Sequence, residues 1–369
     1  CRHLIALHVD DHSDDFFILP AVKRLKDFSR THLLGVVGAG IAYLQMIQDG
    51  YVWCDHFENL ELSSPPPTKR APDFVFNRPG EADVAITESK ATNGSSRTRF
   101  SDRVRRGYLT QVEPYLGLGL SGAVASHGFS IGSWMTSTTR AELVIDHTAQ
   151  LAHVAPTSAP ATARAVRRGN YLTALSLMFG PAVAAAAQAG AWPSSETRLV
   201  TTRWLDRDWL LGSPLQLPAW LPWIFHDTDR VTGVDWSARL SDTVFALERN
   251  VADVVFRSLT SPSDAADPLD DLVRIDDALV ERGIEAGCAV YPDGFALIGT
   301  DDAFEEIRSA EWDPQSGEIV EGVAIHSAEA NSDSACTEPT ELSLQVIEED
   351  DEKTEEQQSL RLTPDDSSW

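Results

Sequence analysis

Two short runs rich in β-branched and apolar residues, Asp73 to Phe76 and Asp83 to Thr92, are separated by Asn77-Arg78-Pro79-Gly80. Proline presets its φ and glycine tolerates the left-handed region, so this tetrapeptide punctuates the chain as a turn. The pattern predicts a β-hairpin centred near Gly80 and Glu81. Asp73 and Glu88 then fall opposite one another, equally far from the centre, with Cβ atoms ~5 Å apart. Glu88 and Lys90 are two apart on one strand, so their side chains share a face. One face of a hairpin flanked by Val84, Ala85 and Ile86 therefore presents acid, acid and ammonium, and charges in such surroundings must be paired or coordinated.

The elements around the hairpin follow from periodicity and punctuation. Residues 18–49 carry apolar groups at helical spacings, with Gly38 and Gly40 between two expected helices. Pro65-Pro66-Pro67 forces an extended loop that delivers the chain to Pro72. A helix is expected over Ser101–Leu116, followed by strands at Gly122–Trp134 and Ala141–His147. The charge-free, alanine-rich stretch Tyr171–Gly190 is interrupted by Gly180 and Pro181, and reads as a buried, kinked helix rather than a membrane span. Helix is expected over residues 161–191 and 235–258. Packed loops are expected for the tryptophan- and proline-rich 192–223, and a small sheet over 267–326. Three regions result: 1–155, an α/β domain with a central mixed sheet flanked by helices; 156–326, a mixed α+β region; and 327–369, an acidic tail read as disordered.

Charge bounds the partners. With 30 basic against 56 acidic residues and a net charge of −26, the long-range field repels nucleic acid and anionic membranes, so phosphate binding has to be local. Arg97, Arg99, Arg103, Arg105 and Arg106 crowd just after Lys90 and supply such a locality, since guanidinium forks onto phosphate with two parallel hydrogen bonds. These contacts position a nucleic-acid backbone without reading its sequence; a solvated helix face is the competing reading. The four cysteines, Cys1, Cys54, Cys288 and Cys336, form no CxxC pair, which fits reduced thiols in a cytoplasmic protein. The first residues match neither a signal nor a transit peptide.

The acid pair suits a hard cation. Mg²⁺ (or Mn²⁺) takes oxygen ligands, usually one or two carboxylates, and keeps several waters, which matches Asp73 and Glu88 with a backbone carbonyl such as that of Ser89. Such an ion acidifies a water and polarises a phosphate, while Lys90 positions that water and stabilises developing charge.

Pro72-Asp73 followed by Glu88-Ser89-Lys90 resembles the signature of the PD-(D/E)XK nuclease superfamily. Gln111-Val112-Glu113-Pro114-Tyr115 is similar to the QxxxY element of its exonuclease-like branch, with Pro114 as a departure. The resemblance implies a restriction-endonuclease-like core over roughly residues 20–150 and Mg²⁺-dependent hydrolysis of DNA in a defence or repair setting. Asp73, Glu88 and Lys90 would be catalytic, with Asp73 and Glu88 on the metal and Gln111 and Tyr115 at the edge of the site binding substrate. Many members add a glutamate from the first helix, where this chain has Ala39, Gln45 and Asp49.

Two other readings compete. A catalytically silent member of the same fold would bind nucleic acid or a protein partner, for which the second region offers a surface. Gly128-Phe129-Ser130-Ile131-Gly132 fits the G-x-S-x-G elbow of serine hydrolases, with Asp146, His147, His153 or His226 as partners, provided that a strand precedes and a helix follows it. Otherwise Gly128 and Gly132 read as bulges in a strand. Oligomeric state is not encoded in any of these features.

Overall fold

The computed structural model describes residues 9–10, 17–19, 22, 24–137, 140–148, 163–194, 197–212, 243–260, 267–299 and 306–327. Cys1–Ala328 is one compact unit; of the stretch read as an acidic tail, Ser327 ends the last strand and the rest lies outside the described residues. The unit is mixed α/β, with a mixed sheet and flanking helices.

A short ribbon, β1 (Val9–Asp10) with β2 (Phe17–Ile18), precedes helix α1 (Asp27–Gln48). In place of the two expected helices, α1 is continuous through Gly38 and Gly40. The reason at Gly38 is close approach: a Cβ there would stand 2.5 Å from Ala91 Cβ, so its absence lets the helix backbone lie on the sheet. That sheet contains β3 (Trp53–His56), β4 (Phe74–Asn77), β5 (Val84–Thr92), β6 (Gly119–Leu120), β7 (Ala123–Ser137) and β8 (Arg140–His147). The order is β3-β4-β5-β7-β6, with β8 also on β7. β5 and β7 are parallel and the other pairs antiparallel. Parallel neighbours need a crossover, and helix α2 (Arg97–Gly107) supplies it.

The turn forms where its residues demand. Gly80 takes φ +75°, and Asn77 Nδ2 donates to the carbonyls of Glu81 and Asp83, both at 3.0 Å. The hairpin register pairs Phe74 with Thr87 and Asn77 with Val84, so extending it by one residue sets Asp73 across from Glu88.

Helix α2 lies on the face of the sheet opposite α1, packing Phe100 and Val104 against Trp134. Gly132 and Gly128 of β7 are not bulges, because β7 keeps regular register with β5 from His127 to Trp134. They clear space instead. A Cβ on Gly132 would press into Phe100 and Val104, and one on Gly128 into Val112 and Leu116. The expected helix to Leu116 stops at Gly107 and continues as a π turn (Tyr108–Val112) and a 3-10 turn (Glu113–Tyr115). Pro114 has no N–H to give the Thr110 carbonyl, which faces Thr68 Oγ1 at 3.4 Å.

Beyond residue 162 the apolar run is broken as expected: α3 (Arg164–Phe179) and α4 (Pro181–Gln188) meet at Gly180, φ +92°. Among the described residues no helix is long and apolar enough to cross a membrane. The tryptophan-rich segment read as loops contains a hairpin, β9 (Arg198–Trp204) and β10 (Arg207–Gly212). Its two-residue turn uses Leu205 and Asp206 at φ +51° and +58°, the geometry that Asn-Gly usually announces. Residues 243–258, read as helix, begin with β11 (Thr243–Glu248) before α5 (Arg249–Thr260), at whose start Glu248 Oε2 accepts from Val251 N at 3.1 Å. Helix α6 (Asp277–Glu285), capped by Asp276, was not anticipated. β12 (Ala289–Val290), β13 (Phe295–Gly299), β14 (Glu306–Asp313) and β15 (Glu318–Ser327) complete one antiparallel seven-stranded sheet, β12-β13-β11-β10-β9-β14-β15.

Both sheets feed a single hydrophobic cluster that runs from Val52 to Ile319, across the expected 155/156 boundary. Helix α3 ties them. Arg167, 5% exposed, donates to Asn77 Oδ1 (2.9 Å) and Leu269 O (2.7 Å) and stacks on Trp53 at 4.0 Å. Tyr171 OH accepts from Trp53 Nε1 and donates to Asp293 O.

The glycine approach is testable. Gly132→Ala overpacks the α2–β7 contact and should lower the free energy of unfolding by ~1–3 kcal/mol. A denaturant midpoint unchanged from wild type would contradict the packing described.

Candidate functional site

Asp73 is delivered by a strap. Ser63 N donates to Gly119 O (2.9 Å) and Gly119 N to Ser63 Oγ (3.1 Å), fixing one end of the proline-rich segment. The other end is held by Gln111 Nε2 to Ala71 O (3.1 Å) and Tyr115 OH to Thr68 O (3.2 Å). Tyr115 is 1% exposed and packs edge-on against Phe57. Gln111 and Tyr115 therefore contact the strap, and what they position is the stretch from Thr68 to Asp73. Between the strap, the segment from Phe57 to Leu62 and Tyr115 lies an open pocket of about 710 Å³, lined also by Pro66 and Lys69.

Asp73 is fixed through its backbone, N donating to Thr87 O (3.0 Å) and O accepting from Phe57 N (3.1 Å). Its Oδ2 accepts from both Ser89 N and Ser89 Oγ at 2.8 Å, which leaves the other oxygen outside these bonds. Glu88 is 1% exposed. Its Oε1 pairs with Lys90 Nζ, and its Oε2 is buried with no hydrogen-bond partner. Gly107 of α2 roofs this spot: a Cβ there would lie 3.0 Å from Ser130 Oγ, 3.4 Å from Lys90 Cε and 3.5 Å from Glu88 Cγ. A buried carboxylate oxygen without a donor is costly, and the residues present would fit a divalent cation shared by Glu88 and Asp73. Among the described residues no group of three or more His, Cys, Asp or Glu gathers for a metal, so any such ion would lean on backbone carbonyl and water for its remaining ligands.

Burial holds the Lys90 ammonium below the ordinary lysine value; Asp73 opposes the shift, and Arg70 and Arg103 reinforce it. Arg70 is a residue that the sequence reading passed over. It precedes Pro72 by two positions, and only the folding of the strap brings its charge to Lys90. Arg99, Arg103, Arg105 and Arg106 are exposed on α2 and form no ion pair among the described residues. Arg97 differs, binding Glu142 at 2.5 Å. Arg99, Arg103 and Arg106 follow helical spacing i, i+4, i+7, so they form one stripe, whose middle member reaches the field of Lys90.

The remaining candidates are placed elsewhere. Gln45 donates to Asp49 at 3.1 Å on the exposed end of α1, and α1 has no acid after Asp27, so the first helix adds no carboxylate. Ser130 is fully buried within β7, which continues as strand to Ser137, and its Oγ donates to Val104 O at 2.8 Å. The strand-turn-helix geometry of a nucleophile elbow is not formed there. Asp146 pairs with Ser130 in register, and His147 is exposed; His153 and His226 lie outside the described residues.

The strap contacts yield a prediction. Gln111→Leu and Tyr115→Phe each remove one anchor, worth ~0.5–1.5 kcal/mol, and should speed limited proteolysis between Ser63 and Asp73. Cleavage at the wild-type rate in both variants would remove their positioning role.

Compared with family models, with curated proteins and with solved structures, the chain matches none, so its functional reading rests on this geometry.

Proposed function

We propose that the protein is a Mg²⁺- or Mn²⁺-dependent nuclease that hydrolyses phosphodiester bonds in DNA, with a restriction-endonuclease-like core of the PD-(D/E)XK type. The observation that carries this reading is the buried, unpartnered Oε2 of Glu88, set beside Lys90 and across the hairpin from Asp73. Asp73 and Glu88 would hold the cation. A divalent ion at that place supplies Lewis-acid polarisation of a phosphate and acidifies a water.

The chain's own residues do the rest. Lys90 presents a positive charge on the same face as Glu88, where it stabilises negative charge that grows on the phosphate oxygens. Ser89 orients Asp73 through two hydrogen bonds. Arg103 and Arg70 bring positive charge close to Lys90, and the stripe Arg99-Arg103-Arg106 offers guanidinium forks to the flanking phosphates. Gln111 and Tyr115 hold the strap that carries Arg70 and Asp73. In a chain of net charge −26, this patch concentrates phosphate contact at one place.

A second reading, a silent member of the fold that binds nucleic acid, is favoured by one observation: α1 adds no third carboxylate. One experiment separates the two. Linear and circular DNA, single- and double-stranded, are incubated with Mg²⁺ or Mn²⁺ and wild type, Asp73→Ala or Lys90→Ala. The nuclease reading expects metal-dependent cutting that falls by ~100-fold or more in both variants, the scale of losing a charge-stabilising group. Retained DNA binding without cutting under either metal selects the silent binder.

The Lys90 shift sets a pH signature. The group must keep its proton to stabilise anionic charge, so the rate should decline as pH rises through its lowered pKa, earlier than an ordinary lysine would dictate. Lys90→Arg should move that alkaline limb upward; a limb that stays in place would assign it to another group.

A further inference from the structure

Strand β8 lies at an edge of the first sheet. It pairs with β7, and among the described residues no strand pairs with its other side. An open edge is a row of unpaired N–H and C=O groups that can template another chain, and proteins usually blunt it with lysine, proline, a bulge or a cover. β8 has eight residues, none of them lysine or proline, and its register with β7 is unbroken from Ala141 to His147.

The two faces of β8 differ. On the face of α2, Glu142 is bound by Arg97 and Val144 packs against Phe100, Val104 and Trp134, so the strand is anchored from that side. The other face belongs to the side of α1, since Ile145 pairs with Ile131, which packs with Ala42 and Met46. There Leu143 and Ile145 remain 38% and 39% exposed, with Ala141 and His147 exposed beside them. An apolar row next to an unpaired backbone edge is the surface that strand addition uses.

Charge decides what fits. Each copy of the chain carries a net charge of −26, so two copies meet favourably only where like charges are not opposed. In an antiparallel pair of β8 strands, a two-fold axis through Glu142 would oppose that carboxylate to its own copy, and one through Val144 would oppose Glu142 to the partner's Asp146; like charges directly opposite are destabilising. Axes through Ala141 or Ile145 pair fewer residues of the strand. An axis through Leu143 opposes Leu143 to the partner's Leu143, Ala141 to the partner's Ile145 and Glu142 to the partner's Val144, and it sets position 140, an arginine, across from the partner's Asp146. This register gives an apolar row on one face and opposite charges on the other, the self-complementarity that a two-fold interface requires.

We infer that β8 is a dimerisation strand, along which two copies of this chain pair antiparallel about an axis through Leu143 and extend the first sheet across both. The axis is perpendicular to the sheet, so both copies of α2 lie on one side of it. β8 contributes no residue to the Asp73–Glu88–Lys90 site, and the dimer stands apart from the nuclease reading.

Sedimentation equilibrium of the full chain tests it. The wild type should dimerise by ~50 µM, the range of a small interface. Leu143→Lys puts a charge where two copies of one residue meet and should weaken the dimer by about tenfold or more. Arg140→Glu and Asp146→Arg each oppose like charges and should weaken it by about threefold or more, while the double variant restores opposite charges and should recover association. Asp146→Arg also lowers the net negative charge, so a weaker dimer there reports local pairing rather than the long-range field. Circular dichroism and thermal unfolding establish that each variant is folded. A monomeric wild type, whether a segment of its own chain or another protein takes the edge, would overturn the assignment. So would a dimer undiminished in folded Leu143→Lys, or a double variant as weak as the single ones.

Discussion

The register of one hairpin sets the terms for the whole first sheet. Because β4 and β5 turn at Gly80, Asp73 meets Glu88 across the strands, and because side chains alternate, Lys90 joins Glu88 on the face that α2 covers. A slip of one residue would turn Glu88 and Lys90 to the α1 face, among Phe76, Ala85 and Ile131, where neither charge has a partner. Asn77 guards against that slip with its two bonds into the turn and its acceptance of Arg167. The same asparagine thus sets the register of the candidate site and joins the hairpin to α3.

The cover over this face is made possible by what is missing. Gly107, Gly128 and Gly132 have no Cβ where α2 and its π turn press on β5 and β7, so the helix sits low enough to bury Glu88 while Lys90 stays partly open, its side chain 24% exposed. Burial and function pull in opposite directions here. An apolar residue in place of Glu88 would pack better, so a carboxylate with an unpartnered oxygen persists against a stability cost of ~1–3 kcal/mol. A cation held there, as proposed, would offset that cost.

What the sequence disclosed and what it hid divide along a physical line. Local chemistry was legible: Asn77 to Gly80 marked the turn, the equal spacing of Asp73 and Glu88 gave their opposition, and Gly180-Pro181 marked the break between α3 and α4. Features that depend on a distant partner were not. Gly38 looked like a helix break, and is a contact with Ala91. Gly132 looked like a bulge, and is a seat for Val104. Leu205-Asp206 carries no usual turn signal, so β9 and β10 were read as loop. Arg70 gains its place near Lys90 only because Tyr115 and Gln111 hold the strap.

Counting bound ions tests the central claim most directly. Electron paramagnetic resonance of Mn²⁺ titrated into the full chain should reveal a site that Mg²⁺ displaces and that Glu88→Gln, a neutral side chain of the same shape, abolishes while the protein stays folded. Mn²⁺ binding that persists undiminished in Glu88→Gln, or no specific binding by the wild type, would contradict the assignment of Asp73 and Glu88 as the ligands of a catalytic cation.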